Sequence, residues 1–109
     1  MITVTVFKSH NGIYKGFLCS GHAGYAQSGS DIVCAAVSML VINTVNSIEQ
    51  FTNQAFTCEQ EEESGRLRFE LEQAPTKETS LLLNSMILGL QEVEKQYHRK
   101  YLKLQFKEV

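Results

Sequence analysis

Ile2, Val4 and Val6 alternate with Thr3 and Thr5, the period of two that lays one face of a strand on a core. Asn11-Gly12 follows as a hairpin turn signal, and Ile13 to Ser20 reads as the return strand. Gly21 to Gly29 predicts a flexible loop by its composition. Ser30 then suits an N-cap, with Asp31 in the first turn where a negative charge meets the positive end of the helix dipole. From Ile32 to about Phe51 the helix is apolar on nearly every side. That pattern predicts a central helix buried between layers rather than lying on a surface.

The second half repeats the scheme. Ala55 to Cys58 and Arg66 to Glu72 predict another pair of strands, with Leu67, Phe69 and Leu71 facing inward. Between them Glu59, Glu61, Glu62, Glu63, Ser64 and Gly65 read as an acidic turn, a solvated hairpin tip rather than a binding element. Pro75 and Thr76 open a second helix, in which Leu83, Met86, Leu90, Val93 and Tyr97 recur at spacings of three and four. One core stripe results, and the helix is amphipathic. Leu102, Leu104 and Phe106 alternate with Lys103, Gln105 and Lys107 in a last strand. The order β-β-α-β-β-α-β predicts an α+β sandwich with two helices against antiparallel strands.

Composition narrows the class without adding chemistry. A chain of 109 residues predicts a single domain over 1–109, large enough for a core of its own. The net charge of -2 gives no electrostatic basis for binding nucleic acid directly. Met1 to Phe7 alternates instead of forming a cationic, then apolar, leader. The uncharged run Ile32 to Ile48 is interrupted by Ser38, Asn43, Thr44, Asn46 and Ser47, and it falls short of the roughly 20 apolar residues a membrane span needs. A cytoplasmic protein without membrane contact is therefore expected. Cys19, Cys34 and Cys58 form no CxxC pair, so neither a metal site nor a bound cofactor is expected. Cys19 and Cys58, set among apolar neighbours, read as small buried hydrophobes.

Cys34 differs from the other two cysteines. With Ser30 as the cap it is the fourth helical residue, within reach of the dipole that lowers a thiol pKa. Asp31 and Ser38 lie three before and four after it, so the three share a helix face. A polar line on an apolar helix needs a reason, because a buried, unpartnered carboxylate or hydroxyl is unfavourable. His22 lies twelve residues upstream, across a loop carrying Gly21, Gly24 and Gly29, whose backbone freedom lets it fold back over the helix N-terminus. His10 and His98 read as surface residues. A Cys-His pair of this kind suits acyl transfer and requires no metal.

Gly21-His22-Ala23, followed by Gly29-Ser30-Asp31-Ile32-Val33-Cys34-Ala35-Ala36-Val37-Ser38, resembles the ribosomal-processing cysteine protease family of bacteria. Length and element order fit as well, whereas the chain from about Gln54 onward matches in pattern only. The resemblance implies an endopeptidase (a thiol protease) acting in ribosome biogenesis. It would remove a short apolar N-terminal extension, ending in paired phenylalanines, from ribosomal protein twenty-seven of the large subunit. It further implies catalytic His22 and Cys34, supporting roles for Asp31 and Ser38, a mobile loop beside the cysteine, and a homodimer. Two other readings of the residues stay open. One is a non-enzymatic ribosome-associated module with Cys34 in its core. The other is a Cys-His hydrolase of a small acyl ester or thioester.

Overall fold

A computed structural model describes residues 1–21, 28–61 and 63–109, the side chains of 28–31 excepted. The elements run β1 (Ile2–Lys8), β2 (Tyr14–Ser20), α1 (Ser28–Phe51), β3 (Phe56–Glu61), β4 (Arg66–Leu71), α2 (Lys77–Gln96) and β5 (Leu102–Glu108). They form a five-stranded sheet of order β3-β4-β2-β1-β5, with both helices packed on it. The sheet is mixed. Its other pairings are antiparallel, but β5 runs parallel to β1 with Ile2 opposite Leu102 and Val4 opposite Leu104. The long return through α2 permits this, because a parallel neighbour needs a crossover rather than a hairpin.

Alternation decides the buried face. Ile2, Val4 and Val6 of β1, Phe17 of β2, Leu67 and Phe69 of β4, and Leu102 and Leu104 of β5 are all buried. Phe17 and Phe69, paired in register, stack with ring centroids 5.0 Å apart. Aromatic pairs of this kind add about 1 kcal/mol beyond the area they bury.

The second helix behaves as its spacing predicts. Leu83, Met86 and Leu90 are buried with Ile87, while Val93 and Tyr97 pack at the edge of the core. Its first turn is capped by Thr76, whose hydroxyl accepts from the Thr79 amide at 3.1 Å, satisfying one of the free donors of a helix start. The buried Gln54 ties this cap to the end of α1, its carbonyl oxygen accepting from the Thr76 amide at 2.9 Å. The two helices approach closely where Gly89 lies under Leu40. A Cβ at Gly89 would stand 2.7 Å from Leu40 Cδ2.

Three expectations change. First, α1 is not buried on all sides. Val33, Val37, Val41, Val45 and Ile48 face the core, but Ile32, Met39, Ile42 and Phe51 are exposed. A two-layer fold covers one side of a helix, and among the described residues no third layer covers the other. The stretch Ile32–Phe51 is in fact long and apolar enough by length and composition to cross a membrane, with 33% of it buried against the domain. Its valine stripe packs into the core in the manner of the central helix of a globular fold. Second, β3 continues through Glu61, so Glu59 and Glu61 are strand residues, not part of the turn. They lie opposite Arg68 and Arg66, and opposite charges across a ladder offset the poor strand preference of glutamate. Third, Cys58 is exposed on the edge strand.

Candidate active site

The sequence places its chemistry around Cys34, and the fold sets what surrounds that thiol. The helix starts at Ser28, two residues before the expected cap at Ser30, so Gly29 belongs to its first turn and Cys34 is its seventh residue. The field of the helix end falls off within the first turn, so Cys34 lies beyond its strongest part. Asp31 sits on α1 one turn before Cys34 and Ser38 one turn after it. His22 and Gly24 lie outside the described residues. Gly21, at the end of β2, has φ of +88°, and a Cβ there would approach the Met1 carbonyl oxygen to 2.5 Å. Only glycine accommodates both constraints, so the chain leaves β2 toward His22 in a direction set by this residue.

Cys34 is partly buried against the core. Ser38 is exposed, so its hydroxyl carries no burial penalty and needs no internal partner. Beside it opens a cleft of about 190 Å³, walled by Ser38, Val41 and Ile42 of α1 and by Cys19, Gln60 and Leu67 of the sheet. An apolar cavity of about 150 Å³ accommodates a benzene ring, so this cleft has room for one aromatic side chain. Its lining is mainly apolar, with Glu61 and Arg66 at the rim. These two residues face each other across the β3–β4 ladder, so the arginine offsets the field of the acidic run at the mouth.

The sequence alone does not show the wall residues from the sheet. Cys19 and Leu67 become neighbours through the pairing of β2 with β4, two strands separated in the chain by the whole of α1. Alternation with the buried Phe17 does put Cys19 on the inner face. Nothing local tells that it lies at the floor of a cleft. Among the described residues no cluster of His, Cys, Asp or Glu could hold a metal ion. His10 and His98 are exposed.

Electrostatics separate the thiols. Burial first, and then the nearby Cys34, push the Cys19 thiol up to about 11, and burial also raises Cys58. From the ordinary value of 9.0 this leaves Cys19 roughly 100-fold less thiolate near neutral pH. Iodoacetamide at pH 7.5 should therefore modify Cys34 well before Cys19, and Cys19 labelling should climb steeply only as the pH approaches 11. Peptide mapping over a time course checks this order. Equal rates at all three cysteines would mean that the fold does not single out Cys34.

Comparison with known proteins places this arrangement in a family. Residues 1–103 match the model of the cysteine protease Prp family. The ribosomal processing cysteine protease Prp of Bacillus subtilis is 31% identical over 101 residues, covering 89% of this chain and 90% of the relative. That of Staphylococcus aureus is 28% identical over 107 residues, covering 98% and 100%. The S. aureus protease solved in complex with a substrate peptide superposes with a TM-score of 0.90 at 27% identity, covering 98% of this chain and all of that one. A protein from Streptococcus mutans superposes at 0.82 and 28% identity, covering 98% and 96%. With nearly the whole chain matched in sequence and in fold, the protein belongs to the Prp family of cysteine proteases.

Proposed function

We propose that this protease removes a short apolar N-terminal extension from ribosomal protein twenty-seven of the large subunit, in the cytoplasm, with Cys34 as nucleophile and His22 as its base. The observation that carries the reading is the apolar cleft one helical turn from Cys34, large enough for an aromatic side chain. The S. aureus relatives add support: they are ribosomal processing proteases, solved with a substrate peptide and with a covalently linked product peptide.

On this reading the Cys34 thiolate attacks the carbonyl carbon of the scissile bond, and the proton it has given up rests on His22. The carbonyl oxygen takes the negative charge and accepts from backbone amides beside the thiol. The tetrahedral adduct collapses, the C–N bond breaks, and His22 returns the proton to the leaving amine. Water, deprotonated by His22, then attacks the thioester and releases the carboxylate of the extension. Asp31 either orients His22 or holds the Gly-rich segment through its amides. The exposure of Ser38 favours contact with bound substrate over bracing of a buried group.

Incubating the enzyme with the same organism's full-length ribosomal protein, and sequencing the new N-terminus, tests the proposal. A single cut after the aromatic end of the extension is the expected product. Intact ribosomal protein beside a cleaved small thioester would instead identify a small-molecule hydrolase.

We also propose that the enzyme is a homodimer through the outer face of α1. Ile32, Ala35 and Met39 recur there at helical spacing, all exposed, with Met39 at 69%. Fully burying a methionine side chain contributes about 2 kcal/mol. Met39→Asp should therefore weaken self-association by roughly tenfold or more and leave the monomer folded. Sedimentation equilibrium reads the change, and an unaltered dimer would move the interface elsewhere.

A further inference from the structure

Protease chemistry gives Cys19 no task, yet the fold sets it beside the reactive thiol. Cys19 lies on β2 between Val4 of β1 and Leu67 of β4, on the face that the helices cover. Cys34 is one turn before Ser38 on α1, and Ser38 and Cys19 line the same cleft. Both thiols pack against the same core cluster. We propose that Cys34 and Cys19 form an oxidative modification site, in which a hydroperoxide oxidises Cys34 and Cys19 closes onto it as an intramolecular disulfide. This rests on Cys34 being the reactive thiol of the proposed mechanism.

The chemistry balances in two steps. The Cys34 thiolate attacks one peroxide oxygen, the O–O bond breaks, and hydroxide or an alkoxide leaves. The sulfur is thereby oxidised to a sulfenic acid and the peroxide reduced, by two electrons each. Cys19 Sγ then attacks the Cys34 sulfur, the S–S bond forms, the S–O bond breaks, and the Cys19 proton departs with the oxygen as water. A small dithiol reverses the link by exchange.

The raised pKa of Cys19 keeps it protonated and slow to react with peroxide, so Cys34 is the thiol oxidised first. Proximity then compensates for the weak nucleophile in the second step. Cys58 is a poor alternative. It is exposed on the edge strand β3, and β4 lies between β3 and the strand β2 that carries Cys19. A disulfide requires Cα atoms roughly 4.4–6.8 Å apart, so the closed link holds α1 against β2 at Cys19. Substrate is then excluded from the cleft while Cys34 is shielded from irreversible oxidation.

One equivalent of hydrogen peroxide, followed by alkylation and mass mapping without reduction, tests the pair. The expected results are a Cys19–Cys34 cross-linked peptide, a mass lower by two hydrogens, complete loss of cleavage, and full recovery with dithiothreitol. Cys58→Ala should keep all four. In Cys19→Ala given a second equivalent of peroxide, the unresolved sulfenic acid should be carried on to sulfinic acid, and activity measured against that variant's own untreated level should not return with dithiothreitol. Oxidised Cys34 beside free, alkylatable Cys19 in the unmutated enzyme would overturn the proposal, as would links made through Cys58. Labelling of the untreated enzyme separates the two ideas. If Cys34 is alkylated rapidly with loss of cleavage but no cross-link forms, only the pair is wrong. If Cys34 is inert and dispensable, the assignment of the nucleophile falls and the pair falls with it.

Discussion

Replacing Cys34 by alanine is expected to lower kcat on the proposed ribosomal substrate by at least about 10³-fold, because the proposed acyl intermediate forms on its sulfur. The fold should survive. Cys34 is only partly buried, and truncating a small side chain at the core's edge removes little apolar area. Cys34→Ser should be nearly as inactive, since a serine hydroxyl stays protonated where a thiol ionises. His22→Ala should lose a comparable factor in kcat while leaving KM within a few-fold, because a base acts in the transition state rather than in ground-state binding. Single-turnover cleavage, with circular dichroism to verify folding, separates these outcomes. Near-normal turnover by Cys34→Ala would remove the residue from the mechanism.

Ser38→Phe is expected to lower kcat/KM by on the order of 100-fold, mostly through KM, by filling the cleft proposed to receive the substrate's aromatic side chain. Ser38 is suited to the test because it is exposed and lines the cleft without contributing to the core. A new phenyl ring there can lie against Val41 and Leu67 instead of forcing the valine stripe apart. The thermal midpoint should therefore change little, as surface substitutions usually stay within about 0.5 kcal/mol. Ser38→Ala serves as the partner variant. If the cleft acts by shape, alanine keeps nearly full activity. If the hydroxyl itself is needed, alanine is as damaging as phenylalanine, and occlusion is the wrong account.

Most of the fold was legible because its signals are local. Alternation at Ile2, Val4 and Val6 and the spacing from Leu83 to Tyr97 are properties of short windows, and the structure turns those residues to the core, with Val93 and Tyr97 at its edge. The illegible parts are non-local. The run of glutamates after Cys58 reads as a turn until Arg66 and Arg68 are set opposite it, which extends β3 by three residues to Glu61. The helix α1 reads as buried all round until the number of layers is known. Once a single sheet lies beneath it, Ile32 and Met39 are left exposed among the described residues.

The same division holds at the site. Sequence determined the order of the elements, the position of Cys34 near the start of a long apolar helix, and the family, through a motif of consecutive residues from Gly21 to Ser38. Residue spacing along one helix is fixed by its pitch, so Asp31, Cys34 and Ser38 share a face in any fold that contains the helix. Only the tertiary structure decided what stands across from that face. Pairing of β2 with β4 brings Cys19 and Leu67 together, and α1 crosses above them to leave an apolar cleft beside the thiol. The same packing gives Cys19 its raised pKa, through burial and the nearness of Cys34. Desolvation and through-space charge depend on distances between distant parts of the chain, and no local pattern of residues encodes them.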